Sequence, residues 1–215
     1  MVVIKRGKFY LIIYYMGFSD KDQMMSNIRG ALRSYPLMFG IVALVISLVF
    51  KLPILVFLIF VVFLSSLING QVLKKLSFKL FEELNMKTIA LRPDGAKNCS
   101  NFINEFLPGK LSTSYGMPSG HSLESMLIAI FLSMYIIKTH EKGMGRNVLI
   151  VFILLIGIAV CVSRVVLGCH TIPQIIVGGL IGAVVGYYAF TLWETKIEPL
   201  FKKEKQKNSM ISDLL

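Results

Sequence analysis

The chain has 215 residues, of which 55% are hydrophobic, and a formal net charge of +11. Its mean hydropathy of +0.69 is too high for an ordinary soluble domain. The charge does not indicate nucleic acid, because the basic residues sit between apolar runs and in the tail Phe201-Lys202-Lys203-Glu204-Lys205-Gln206-Lys207, where positive-inside sorting places them.

In chain order, the first apolar patch, Phe9 to Phe18, is about ten residues long and too short to span a bilayer unaided. Its tyrosines suit the membrane interface, so residues 1–35 read as an N-terminal interfacial segment rather than a cleaved signal. Residues 36–50 and 54–73 follow as two apolar runs joined at Lys51-Leu52-Pro53, a helical hairpin. Residues 74–120 are not apolar; an amphipathic patch from Lys74 to Leu84 precedes a loop rich in Pro, Gly, Asn and Ser. A loop of that length in a chain this short is usually functional. Three more apolar runs occupy 123–138, 147–168 and 172–193, and residues 196–215 form a basic tail.

These runs predict an all-α polytopic membrane bundle in a single domain, residues 1–215, with a core over 54–190. It has five spanning helices, or six if the N-terminal patch enters the bilayer. Lys138, Lys142, Arg146 and the tail mark one face as cytoplasmic. Connectivity then places Arg92, His121 and the segment Ser163–His170 together at the opposite face. Lys5, Arg6, Lys8, Arg29 and Arg33 conflict with that orientation if 36–50 is the first span.

The chemistry lies in two short segments about forty residues apart, Gly116-Met117-Pro118-Ser119-Gly120-His121 and Ser163-Arg164-Val165-Val166-Leu167-Gly168-Cys169-His170. Ser119-Gly120 before a helix makes an anion site: the serine takes the N-cap, the glycine admits close approach, and free N–H groups favour negative charge. Arg92 and Arg164 are forked donors for phosphate oxygens. His121 falls in the first helical turn beside the same anion. His170 can attack phosphorus if its other ring nitrogen is held as a donor, and Gln174 lies one turn away if helix resumes near Pro173.

Arg92-Pro93, Pro118-Ser119-Gly120-His121, and Ser163-Arg164 with five residues before His170 resemble the motifs of the type-2 phosphatidic acid phosphatase superfamily. That family is similar in its active site to vanadium haloperoxidases and bacterial acid phosphatases. The resemblance implies a metal-free reaction without cofactor, with His170 as nucleophile and His121 as the acid for the leaving group. It also implies that Arg92, Arg164, Ser119 and the Gly120 backbone hold the phosphoryl oxygens. Two positions depart from the pattern. The lysine normally seven residues before the arginine is Asn85, which leaves Lys87 as the favoured substitute, and the aspartate four after the histidine is Gln174. A glutamine can fix the imidazole tautomer but cannot supply a full charge. Gln174, the lead-in Tyr115-Gly116-Met117-Pro118-Ser119 and His170-Thr171 are similar to dolichyl diphosphatases within the family.

Three readings follow: a phosphatase for a polyisoprenyl diphosphate, the same machinery acting on phosphatidate or another lipid or sugar monoester, and a non-enzymatic lipid-binding member. Each has the membrane and a phosphorylated lipid as partners, with the site on the non-cytoplasmic face of an endomembrane such as the endoplasmic reticulum or of the plasma membrane. The oligomeric state is left open.

Lys74, Lys75 and Lys79 read as interfacial charges on an amphipathic face. Gly178-Gly179, Gly182 and Gly186 read as a face for close helix packing within the protomer. Asn98-Cys99-Ser100 is a glycosylation sequon. Cys99, Cys161 and Cys169 have neither CxxC spacing nor a metal-type cluster with His121, His140 and His170, so neither zinc nor a disulfide framework is expected. Cys161 and Cys169 read as small packing residues.

Overall fold

The computed structural model describes residues 37–96, 99 and 115–203, with residues 30, 34 and 35. The expected interfacial segment apart from these three residues, the tail beyond Lys203, and Asn98 of the sequon lie outside the described residues.

Helix α1 spans Leu37–Phe50 and turns through Lys51 into α2, Pro53–Ile68. At about 1.5 Å per residue α1 rises only ~21 Å, less than a hydrocarbon core. Proline opens α2, where its missing N–H costs nothing. A π-helical turn, Asn69–Leu73, joins α2 to α3, Lys74–Glu83, and a four-residue helix α4, Lys87–Ala90, precedes Arg92. After the loop come α5, Gly120–Thr139; α6, Met144–Val166; and α7, Ile172–Leu192, which runs on through a second π-helical turn, Trp193–Ile197.

Among the described residues four helices are long and apolar enough to cross a membrane: Pro53–Glu83, Gly120–Thr139, Met144–Val166 and Ile172–Lys203. With the shorter α1 they make the all-α polytopic bundle that the apolar runs predict. The difference is at residues 54–84, where the apolar run and the amphipathic patch form one continuous helix of 31 residues. Its side chains change from lipid-facing to polar, but nothing in Lys74–Glu83 breaks the backbone hydrogen bonding.

Helix α5 is the central element, with 56% of its apolar window buried against 22–28% in the other three spans. It packs on α2, α6 and most extensively on α7. The α5–α7 contact is close because Gly178, Gly182 and Gly186 recur every fourth residue on α7. A Cβ at Gly182 would stand 2.0 Å from the Leu123 carbonyl oxygen, so only glycine admits this backbone approach. The small-residue face is therefore used inside the protomer.

Below that contact the core closes around Leu58, Phe131, Phe190 and Trp193, with Phe131 and Phe190 edge to face at 5.6 Å. Lys138 pairs with Glu194 (3.2 Å) and Glu198 (2.5 Å) at the end of the bundle away from Gly120. Most of the buried polar side chains lie toward the other end, where α2–α3, α5, α6 and α7 meet.

Candidate active site

The end of α6 sets the first half of the site. Gly168 takes a positive φ of 65°, ending the helix in a left-handed turn that folds the chain back on itself. The Cys169 and His170 N–H groups both donate to the Arg164 carbonyl, at 2.9 and 3.1 Å. The five residues between Arg164 and His170 thus consist of one helical end and one reversal, which bring the two functional side chains to one place.

The second half comes from the segment before α5. Tyr115 pairs with Leu91 in an isolated antiparallel bridge, and the Gly116 and Met117 N–H groups donate to the Ala90 carbonyl at 2.7 and 3.1 Å. This pairing brings Arg92 beside the segment leading into Ser119. Ser119 occupies the N-cap of α5, but its hydroxyl makes no cap bond; it accepts instead from Ser122 Oγ at 3.0 Å. The first-turn N–H groups are thus not taken up by the Ser119 hydroxyl, the arrangement that suits an anion.

Gln174 connects the two halves. It is fully buried in the first turn of α7. Its Nε2 donates to the carbonyls of Ile89 (2.9 Å) and Leu91 (2.6 Å), so its Oε1 must face His170 Nδ1 at 3.0 Å. An amide oxygen can only accept; hence Nδ1 carries the ring proton and Nε2 keeps the lone pair. The Thr171 N–H also donates to Oε1, at 3.3 Å. Glutamine is required here because the residue must accept from the imidazole and donate to two carbonyls at once. An aspartate could do only the first.

A cavity of about 540 Å³ opens onto these groups. Arg92, His121, His170 and Lys74 line its polar end, and Ile41 and Leu44 of α1 with Val62 and Phe63 of α2 line an apolar flank. Ser119, Arg164 and Gln174 are fully buried behind it, and the Arg164 Nη2 donates to the Cys99 carbonyl at 2.7 Å. Gly120 lies at the cavity wall. Lys87, expected to complete the phosphate cradle from its nearness to Arg92 in sequence, is exposed on α4 and does not line the cavity. Lys74, read above as an interfacial charge, does; Lys75 and Lys79 are exposed.

Cys99 and Cys169 form a disulfide with Cα atoms 5.5 Å apart, which corrects the expectation of no disulfide and of Cys169 as a packing residue. The pairing depends on the fold bringing the loop after Arg92 against the α6–α7 turn, across 70 residues of sequence, and spacing carries no trace of it. Cys161 is free and buried, as a packing residue would be.

Burial, and then the charge of Arg92, lower the His170 pKa from 6.5 to about 3, against the raising effect of the Gln174 hydrogen bond. The folded ring therefore stays neutral where the unfolded ring takes a proton. Stability should fall as pH drops from 6.5 toward 3, by about 1.4 kcal/mol per unit from this group. Thermal unfolding in detergent between pH 7 and 4.5 should show that slope, and His170→Asn should flatten it; an equal slope in both proteins would assign the acid sensitivity elsewhere.

A family model described as PAP2 superfamily matches residues 54–198. The chain belongs to the PAP2 superfamily. The match takes in the π-helical turn, Arg92, the α5 entry, the Arg164–His170 turn and Gln174, so the polar end of the cavity lies within the matched residues, while Ile41 and Leu44 of its apolar flank lie before them. Among curated proteins the chain is similar to "Dolichyldiphosphatase 1" of Dictyostelium discoideum, 31% identical over 93 residues that cover 41% of this chain and 38% of that protein. The proteins of the same name from Homo sapiens and Mus musculus are each 28% identical over 101 residues, covering 43% of this chain and 42% of theirs. The matched segment thus spans about two fifths of the length of these relatives. No solved structure matches the chain.

Proposed function

We propose that this PAP2 protein is a metal-independent lipid phosphatase that hydrolyses a polyisoprenyl diphosphate to the monophosphate through a phosphohistidine. The observation that carries the reading is the Gln174 amide, which leaves His170 neutral with its lone pair on Nε2 in a cavity shared with Arg92 and His121.

In the first step Nε2 attacks the terminal phosphorus, the bond to the bridging oxygen breaks, and protonated His121 gives its proton to the departing lipid monophosphate. Nδ1 keeps its proton throughout and donates it to Gln174 Oε1. In the second step His121, now neutral, takes a proton from water. The hydroxide attacks the phosphohistidine, releasing inorganic phosphate and restoring Nε2. Arg92, Arg164, Lys74 and the N–H groups around Ser119 and Gly120 offset the charge on the equatorial oxygens. A glutamine in place of a carboxylate suits an anhydride, whose leaving group is a phosphate monoester and needs less assistance than an alcohol. The apolar flank supports a lipid substrate, and the relatives' printed name supports the dolichyl class. The disulfide supports a non-cytoplasmic site, since such bonds persist in oxidising compartments.

The test is phosphate release by purified protein with a metal chelator present, offering dolichyl diphosphate and phosphatidate side by side. Chelator-resistant release with preference for the diphosphate is expected. Preference for phosphatidate would move the reading to a monoester phosphatase, and no release from either lipid by folded protein would favour a lipid-binding role.

A further inference from the structure

Glu124 stands in the second turn of α5, inside a membrane span, and is only 8% exposed. No motif of the sequence includes it. A carboxylate at that depth is costly unless it is partnered, and partnered intramembrane charges usually serve a site. Its partners come from the neighbouring long helix: it accepts a hydrogen bond from the Ser66 hydroxyl and interacts electrostatically with Lys74. Lys74 interacts in turn with Arg92 and with His170. All of these residues line the same cavity.

A lysine placed beside Arg92 is repelled by the guanidinium, and its flexible stem could turn outward to water or headgroups. A carboxylate within the cavity removes that freedom. Arg92, Arg164 and Lys74 then act together beside a neutral His170, with the carboxylate at Lys74. Such a group of cations suits a phosphoryl anion. Unpaired, the carboxylate would repel the same group.

We propose that Glu124 is a positioning residue for the phosphoryl site: without touching substrate, it holds the Lys74 ammonium in the cavity and so sets the affinity for the transferring phosphoryl group. The inference rests on the reading of the cavity as a phosphoryl site.

A double-mutant cycle tests it, with Glu124→Gln, Lys74→Met and the double variant compared by orthovanadate titration calorimetry in detergent and by kcat/KM on dolichyl diphosphate. Glu124→Gln should weaken vanadate binding about tenfold and Lys74→Met about a hundredfold, and the double variant should be no worse than Lys74→Met, because the two residues act as one unit. Glu124→Asp, which keeps the charge, should recover most of the loss; thermal unfolding of each variant separates this from a folding defect, and Glu124→Leu, apolar and of similar size, takes the place of Gln in the cycle if Gln does not fold. Additive losses, or an unchanged Glu124→Gln, would overturn the inference while leaving the phosphatase reading intact. Wild-type protein that neither binds vanadate nor releases phosphate would overturn the phosphoryl-site reading itself, and the inference with it.

Discussion

His170→Ala should lose turnover by roughly 10⁴-fold or more if His170 is the nucleophile proposed above. The loss should appear in kcat as well as kcat/KM, because binding rests on other groups: Arg92, Arg164 and Lys74 all remain. The fold should survive. Gln174 keeps both of its carbonyl bonds and the Thr171 N–H contact, so only one hydrogen bond is removed, at a cost of about 1 kcal/mol. Vanadate should still bind the variant, held by the cations but without a bond to nitrogen. Radiolabelled substrate quenched in alkali should leave label on wild-type protein and none on the variant. Turnover within tenfold of wild type would remove His170 from the chemistry.

Gln174→Glu should also be damaging, in a direction opposite to the family pattern, where an acid at this position supports the nucleophile. The Ile89 and Leu91 carbonyls lie 2.9 and 2.6 Å from the amide nitrogen. A carboxylate would replace that donor with a second acceptor, leaving a buried charge facing two carbonyl oxygens. Stability should fall by about 3–5 kcal/mol, the range for an uncompensated buried charge, and turnover by at least about a hundredfold. The loss should shrink in acid, where a protonated carboxyl regains one donor. Unfolding temperature and phosphate release across pH 5–8 check both parts. A variant as active as wild type at neutral pH would show that the amide does not fix the ring.

Much of the helical order was legible, because a bilayer demands long apolar runs and the runs that form α5, α6 and α7 begin and end near clear turn residues. The relation of His170 to Gln174 was legible too: four residues across a helix start place them within one turn. The boundary within 54–84 was misplaced because hydropathy reports the surroundings of a helix and not its continuity. The Cys99–Cys169 bridge and the Lys74–Glu124 pair were hidden for one reason: each joins residues that only tertiary structure makes neighbours. Glu124 was hidden a second way, as a lone acid among the apolar residues of α5.

The π-helical turn at Asn69–Leu73 has an angular meaning. In an α-helix each residue advances the side-chain direction by about 100°, whereas a π-turn closes its hydrogen bonds one residue later. The turn therefore acts as a phase shift in the middle of a 31-residue rod. Ser66 and Lys74, eight apart, would fall roughly 80° from each other on an unbroken α-wheel, yet both line the same cavity. One residue of slack in the winding lets a single helix present its upstream half to lipid and still aim a cation from its downstream half at the place where phosphorus would sit.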